Sequence, residues 1–167
     1  MNRKLLRRGL LPLVMIASIA ILSSALAADV VAKVGNTSLG KVVVNNKGMS
    51  IYVFDLDKVG SGASACTGQC SLTWPPVTST TAKPVVSGIK GVIGTITLKS
   101  GRKQVTVNGR PIYTFRLDRA VADTMGQGSQ GIWYVLSPTG TEMKTLKSAA
   151  KTTAKATMPP TYPKYSY

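Results

Sequence analysis

The sequence predicts an all-β fold, two tandem antiparallel β repeats packed as one compact domain, and three observations carry that expectation. Short β-branched runs follow one another from Val30 to Val135, parted by Gly, Asn and Ser at the intervals of antiparallel sheets. No long amphipathic helical period interrupts them. A tyrosine-anchored unit also occurs twice: Tyr52-x-Phe54-x-x-Asp57 returns downstream as Tyr113-x-Phe115-x-x-Asp118. Gly48/Gly109, Ile51/Ile112, Leu56/Leu117 and, upstream, Val44/Val105 keep the same offset, which marks an internal duplication.

The first segment, residues 1–27, reads as a signal peptide. Arg3, Lys4, Arg7 and Arg8 precede an apolar run from Leu10 to Leu22, and Ala25-Leu26-Ala27 supplies a small-x-small cleavage pattern. Pro12 and the small-residue exit argue for a cleaved leader over the alternative of a retained anchor. Arg7-Arg8 fits a twin-arginine signal only loosely, so the general secretory route is expected. With no cysteine near Ala27, lipid attachment is not expected, and the product is periplasmic or secreted. The remainder, from Asp29 and its preceding alanine to the end of the chain, is long enough for one hydrophobic core.

The β domain is expected over 28–138, with repeat one at about 40–77 and repeat two at about 92–138. In repeat one, Asn46-Lys47-Gly48 turns Val42-Val43-Val44 back onto Ile51-Tyr52-Val53-Phe54. In repeat two, Gly94–Leu98 and Lys103–Val107 form the clearest hairpin, and Asn108-Gly109 folds the second of these strands onto Ile112–Phe115. Alternation puts Tyr52, Phe54 and Leu56 on one face, and Tyr113, Phe115 and Leu117 on its counterpart, both toward the core. The opposite faces then carry Asp55 and Asp57 in one copy, and Arg116 and Asp118 in the other; a pseudo-twofold arrangement would let Asp55 meet Arg116. From Thr139 the pattern gives way to Ala, Thr and Lys, so 139–167 is expected to be a basic, disordered tail.

Chemistry is sparsely provided. There is no histidine, which removes His-based triads, Cys–His dyads, haem attachment and His-ligated metals. Cys66 and Cys70, the only cysteines, read as a small-loop disulfide in an oxidising compartment. A reducible redox pair is the alternative. Asp57 and Asp118 follow equivalent strands and read as turn caps ahead of a carboxylate pair. Asp123, in the glycine-containing loop Asp123-Thr124-x-Gly126-Gln127-Gly128, reads as bonding local backbone amides ahead of binding calcium. Trp74 and Trp133, separated by nearly the repeat offset, are expected in core packing, with an exposed sugar-binding platform as the alternative. No catalytic residue, metal or cofactor is expected.

Charge narrows the partners. Twenty-one Lys and Arg stand against six acids, a net charge of +15. Loss of the leader cations Arg3, Lys4, Arg7 and Arg8 leaves the mature chain strongly basic. Outside the cytosol that excess points to an envelope polymer, an anionic lipid surface or an acidic envelope protein, and not to nucleic acid.

These motifs in order resemble a known family. Gly48-x3-Tyr52-x-Phe54-x-x-Asp57, Cys66-x-Gly68-x-Cys70-x3-Trp74-Pro75-Pro76, Gly109-x-Pro111-x-Tyr113-x-Phe115-x-x-Asp118, Asp123-Thr124-x-Gly126-x-Gly128 and Gly131-x-Trp133 span roughly 36–138. They are similar to the bacterial secreted-repeat, predicted-lipoprotein family marked by a Tyr-x-aromatic-x-x-Asp motif. The resemblance implies a secreted repeat and supplies no mechanism. Many members carry a lipobox cysteine, which this leader lacks, and the basic tail falls outside the resemblance. The reading from sequence is thus an exported, non-enzymatic cell-envelope module, with a periplasmic redox or electron-transfer accessory using Cys66 and Cys70 as the alternative.

Overall fold

In the computed structural model the described residues are 30–144. The expected signal peptide and cleavage at Ala27, and the tail from 145 onward, lie outside them. The chain forms β1 (Val30–Thr37), β2 (Gly40–Asn45), β3 (Tyr52–Phe54), α1 (Gln69–Thr73), β4 (Thr78–Ser79), β5 (Val85–Ser87), β6 (Ile93–Thr97), β7 (Lys103–Val107), β8 (Arg110–Pro111) and β9 (Trp133–Val135), with a 3-10 turn at Ser129–Gly131. It is the mostly-strand, two-repeat domain that the pattern predicts.

The strands sort into three small sheets: β2-β1-β5, β3-β9, and β4-β7-β6 with β8 also on β7. Every pair is antiparallel except β1 with β5, which run parallel. The β6–β7 hairpin pairs Ile93 with Val107 and Thr97 with Lys103, and its turn closes through Leu98 and Arg102. Asn108 and Gly109 both adopt positive φ, 51° and 75°, the backbone that a tight two-residue turn requires. In repeat one, Gly48 takes φ 82° and Asn45 Oδ1 accepts from the Lys47 and Met49 amides.

That first turn is longer than its counterpart, which corrects the upstream offset. Val43 donates to Leu136 O and accepts from Ile51, whereas Val105 donates to Val77 O and accepts from Ile112. The counterpart of Val105 is therefore Val43, and not Val44.

The repeats are interlaced. β3 of the first pairs with β9 of the second in the register Tyr52↔Val135, while Tyr113 of the second bridges to Pro76 of the first. Tyr52 and Tyr113 exchange backbone hydrogen bonds, N to O at 2.8 and 3.0 Å, so the pseudo-twofold passes between them. Each half is thereby completed by a strand from the other, and neither can bury its apolar residues alone.

The central strands are covered on both faces. Tyr52, Phe54, Val42 and Val44 face an aromatic cluster. Ile51, Val53, Val43, Val105 and Ile112 face an aliphatic cluster on the other side. Two expectations are corrected here. The chain turns immediately after Phe54, where Asp57 N donates to Phe54 O, so Leu56 is thrown out to solvent and Asp57 is turned inward. Asp118 is buried in the same way, by an equivalent turn at Phe115. Asp55 does not meet Arg116: it pairs with Arg110 at 3.1 Å and Lys144 at 3.0 Å, and Arg116 is exposed.

Two further features belong to the connecting segments. A short helix, α1, starts inside the cysteine loop at Gln69, runs past Cys70 and stops at Trp74, because Pro75 drives the residue before it out of helical geometry. The ordered chain also continues past 138. A turn from Ser137 to Thr141 brings Glu142 back against Leu136, and Glu142 joins Arg110, Asp55 and Lys144 in one ion network.

Candidate functional site

The duplicated motif residues converge at the centre of the molecule, and they do so crosswise. The Tyr52 hydroxyl donates to Asp118 Oδ2 at 2.7 Å, and the Tyr113 hydroxyl donates to Asp57 Oδ2 at 2.6 Å. Each tyrosine of one repeat thus grips the aspartate of the other. The second carboxylate oxygen serves as the cap expected from sequence: Asp57 Oδ1 accepts from Ala65 N and Asp118 Oδ1 from Met125 N, at 2.7 and 2.9 Å. The two carboxylates do not share a site. Each is held beside a phenol of the partner repeat.

Burial decides the electrostatics. Removal from water pushes the Asp118 carboxyl up to about 6 and also raises Asp57, against the pull of their tyrosine and amide donors. Burial and the adjacent carboxylates hold both phenols far above the ordinary tyrosine range, so they remain donors at any physiological pH.

The other motif aromatics form a stack on the pseudo-twofold. Phe54 lies on Trp133 at 4.2 Å between centroids, Trp133 on Trp74 at 3.9 Å, and Trp74 on Phe115 at 4.2 Å. The planes of the two indoles differ by 1°. Tyr52 meets Trp74 edge-on at 5.3 Å, as Tyr113 meets Trp133 at 5.2 Å. Such pairs contribute about 0.5–1.5 kcal/mol each beyond the area they bury. Trp74 and Trp133 are 2% and 0% exposed, which excludes the sugar-platform alternative for the isolated fold. The near-repeat spacing of the tryptophans registers this stack.

Cys66 and Cys70 are joined, with Cα atoms 5.2 Å apart, and both pack within the aromatic cluster. Asp123 stands apart from the stack: its Oδ2 accepts from the Arg119 and Ala120 amides, and its carbonyl accepts from Ser50 Oγ at 2.6 Å. Among the described residues no three His, Cys, Asp or Glu side chains gather as a metal site would require.

Outside the motifs, a cleft of about 570 Å³ opens between the cysteine loop and the β6–β7 hairpin. Its lining includes Ser64, Pro76, Ile96, Leu98, Lys99 and Gln104. Ser64 ties it to the crossed motif, since its Oγ lies 2.7 Å from the Tyr113 hydroxyl. Sequence reasoning missed Ser64, Gln104 and Arg110. No local pattern marks them, and only the interlacing of the repeats gives them partners. Met143 escapes for the same reason, and Gln127, named from sequence only within the Asp123 loop, serves instead to hold Val135 and Met143.

Neither the curated proteins nor the solved structures contain a match to this chain. A family model matches residues 33–78 and 94–137, the two repeats that the crossed tyrosines join. The chain belongs to that family, described as a secreted repeat of unknown function.

Proposed function

We propose that the protein is an exported, non-enzymatic module of the cell envelope whose basic surface holds an anionic envelope polymer or lipid surface. The observation that carries this reading is where the acids go. The described carboxylates are all engaged within the fold: Asp55 and Glu142 with Arg110 and Lys144, Asp57 and Asp118 with the tyrosines, Asp123 with its own turn. Among the described cations only Arg110 and Lys144 have carboxylate partners. Lys33, Lys41, Lys47, Lys58, Lys83 and Lys90 are exposed, as are Lys99, Arg102, Arg116 and Arg119. Solvent therefore meets a surface of one sign, and such a surface attracts polyanions with an affinity that falls as salt rises.

The absence of histidine and the enclosure of Asp57 and Asp118 by structural donors support a binding role over a catalytic one. The cysteines are each 4% exposed, which supports a structural staple over a cycling pair.

Co-sedimentation with vesicles containing anionic lipid, and with a purified anionic wall polymer, tests the reading at rising salt. Binding to either is expected to weaken steeply as salt rises from about 50 mM to about 300 mM. No binding to either at the lowest salt would overturn it.

A further inference from the structure

The two halves of the molecule differ at one edge. Val77 and Leu136 occupy matching places: each donates to an isoleucine carbonyl, Ile112 or Ile51, and accepts from a valine amide, Val105 or Val43. Pro76 is therefore the counterpart of Val135. In the second half both outward backbone groups of Val135 are satisfied, its N–H by Gln127 Oε1 at 2.7 Å and its carbonyl by Met143 N at 3.0 Å. The segment bearing Met143 lies along this edge through one antiparallel bridge, Leu136 with Glu142, and is held by Gln127 Nε2 on the Met143 carbonyl. The Met143 side chain packs against the aromatic cluster.

In the first half nothing among the described residues takes that place. Pro76 has no N–H to satisfy, and no described residue donates to its carbonyl. Pro76 lies instead on the open cleft of about 570 Å³. The cleft also contains Gln104, which occupies the position that Val42 fills in the other half. Gln104 is fully buried; its Nε2 donates to Ile112 O at 3.0 Å, while its Oε1 has no partner among the described residues.

We propose that this cleft is a peptide-docking groove. It receives an extended acidic segment of a partner protein, which adds to the Pro76 edge as Met143 adds to the Val135 edge. The internal segment through Met143 defines what the occupant brings: a backbone N–H for the Pro76 carbonyl and an apolar side chain toward Ile96 and Leu98. Charge selects the occupant. Among the described residues no acid lines the cleft, and Lys99 and Arg102 both do. The chain's own segment 145–167 contains Lys147, Lys151, Lys155 and Lys164 and no acid, so it is the wrong sign for the groove. This site is separate from the general electrostatic reading above, because it depends on one backbone hydrogen bond and one apolar contact.

The probe is a fluorescent peptide copying residues 139–144 with its lysine replaced by glutamate, titrated against the full exported chain by anisotropy. Saturable binding is expected. It weakens tenfold or more when the peptide's methionine amide is N-methylated, and tenfold or more for the exposed double variant Lys99→Glu with Arg102→Glu. Equal affinity for the N-methylated peptide would reduce the contact to charge alone and overturn strand addition. Absence of saturable binding would overturn the groove itself, while vesicle binding by the same sample would leave the electrostatic reading standing. Displacement of the probe by a peptide copying residues 158–167 would assign the groove to the chain's own end and overturn the partner.

Discussion

The two repeats share their centre and differ at their rims. At the centre the crossed and stacked contacts come in twofold pairs: Tyr52 on Asp118 and Tyr113 on Asp57, Phe54 on Trp133 and Phe115 on Trp74. At the rim the first repeat has a disulfide loop beside an open cleft, where the second has a disulfide-free loop covered by the segment through Met143. The crossed centre joins the repeats and tolerates little change. The rims meet the centre through different groups, Ala65 N and Ser64 Oγ in the first half and Met125 N and Gly126 N in the second, so the halves serve the same centre with unlike loops.

Breaking the shared centre gives the largest effects. Trp74→Ala and Trp133→Ala are each expected to lose about 3–5 kcal/mol in denaturant unfolding, because each removes one of two stacked, fully buried rings. Similar losses for both are expected; a heavy cost for one alone would break the equivalence of the halves. Next comes the rim of the first repeat. Replacing Cys66 and Cys70 together by Ser should cost about 2 kcal/mol for so short a loop, measured as a shift in denaturation midpoint. An unchanged midpoint would show that the packing of the cysteine loop suffices without the bond.

The crossing itself is sharpened by smaller changes. Tyr52→Phe and Tyr113→Phe should each cost about 1–2 kcal/mol, since each strips a donor from a buried carboxylate. In double-mutant cycles Tyr52 should couple to Asp118 and not to Asp57. Coupling within a repeat would contradict the interlaced register.

The smallest effect is in pH. The Asp118 carboxyl has a folded value of about 6 against an ordinary 3.8, so its protonated form is favoured by the fold. Its contribution is fully present below 3.8 and is lost as pH rises through about 6. Acidifying from pH 7 to 5 should therefore stabilise the protein by about 1 kcal/mol through this group. The raised Asp57 acts in the same direction. Asp55, drawn down by Lys144 and Arg110 against its burial, acts oppositely and only at lower pH. Thermal melts of the native chain and of Asp118→Asn at the two pH values should show a gain that the variant lacks in part.

Much of this was legible before any coordinates. The Tyr-x-Phe-x-x-Asp duplication located the shared centre, the Asn-Gly and Asn-Lys-Gly turns located two of the reversals, and the cysteine spacing located the loop closure. Alternation failed after Phe54 and Phe115, because it holds only while the chain stays extended. The immediate turns exposed Leu56 and buried Asp57 and Asp118.

The sequence by itself determined the strand-rich class, the presence of two repeats and the surplus of positive charge, because each is a property of local pattern or of composition. Only the tertiary structure decided that the tyrosines cross between repeats, that Trp74 stacks on Trp133, and that Pro76 keeps an open edge where Val135 has a covered one. Those outcomes depend on which strand of one repeat completes the other. A pairing between residues so distant in the chain leaves no mark on the residues beside them.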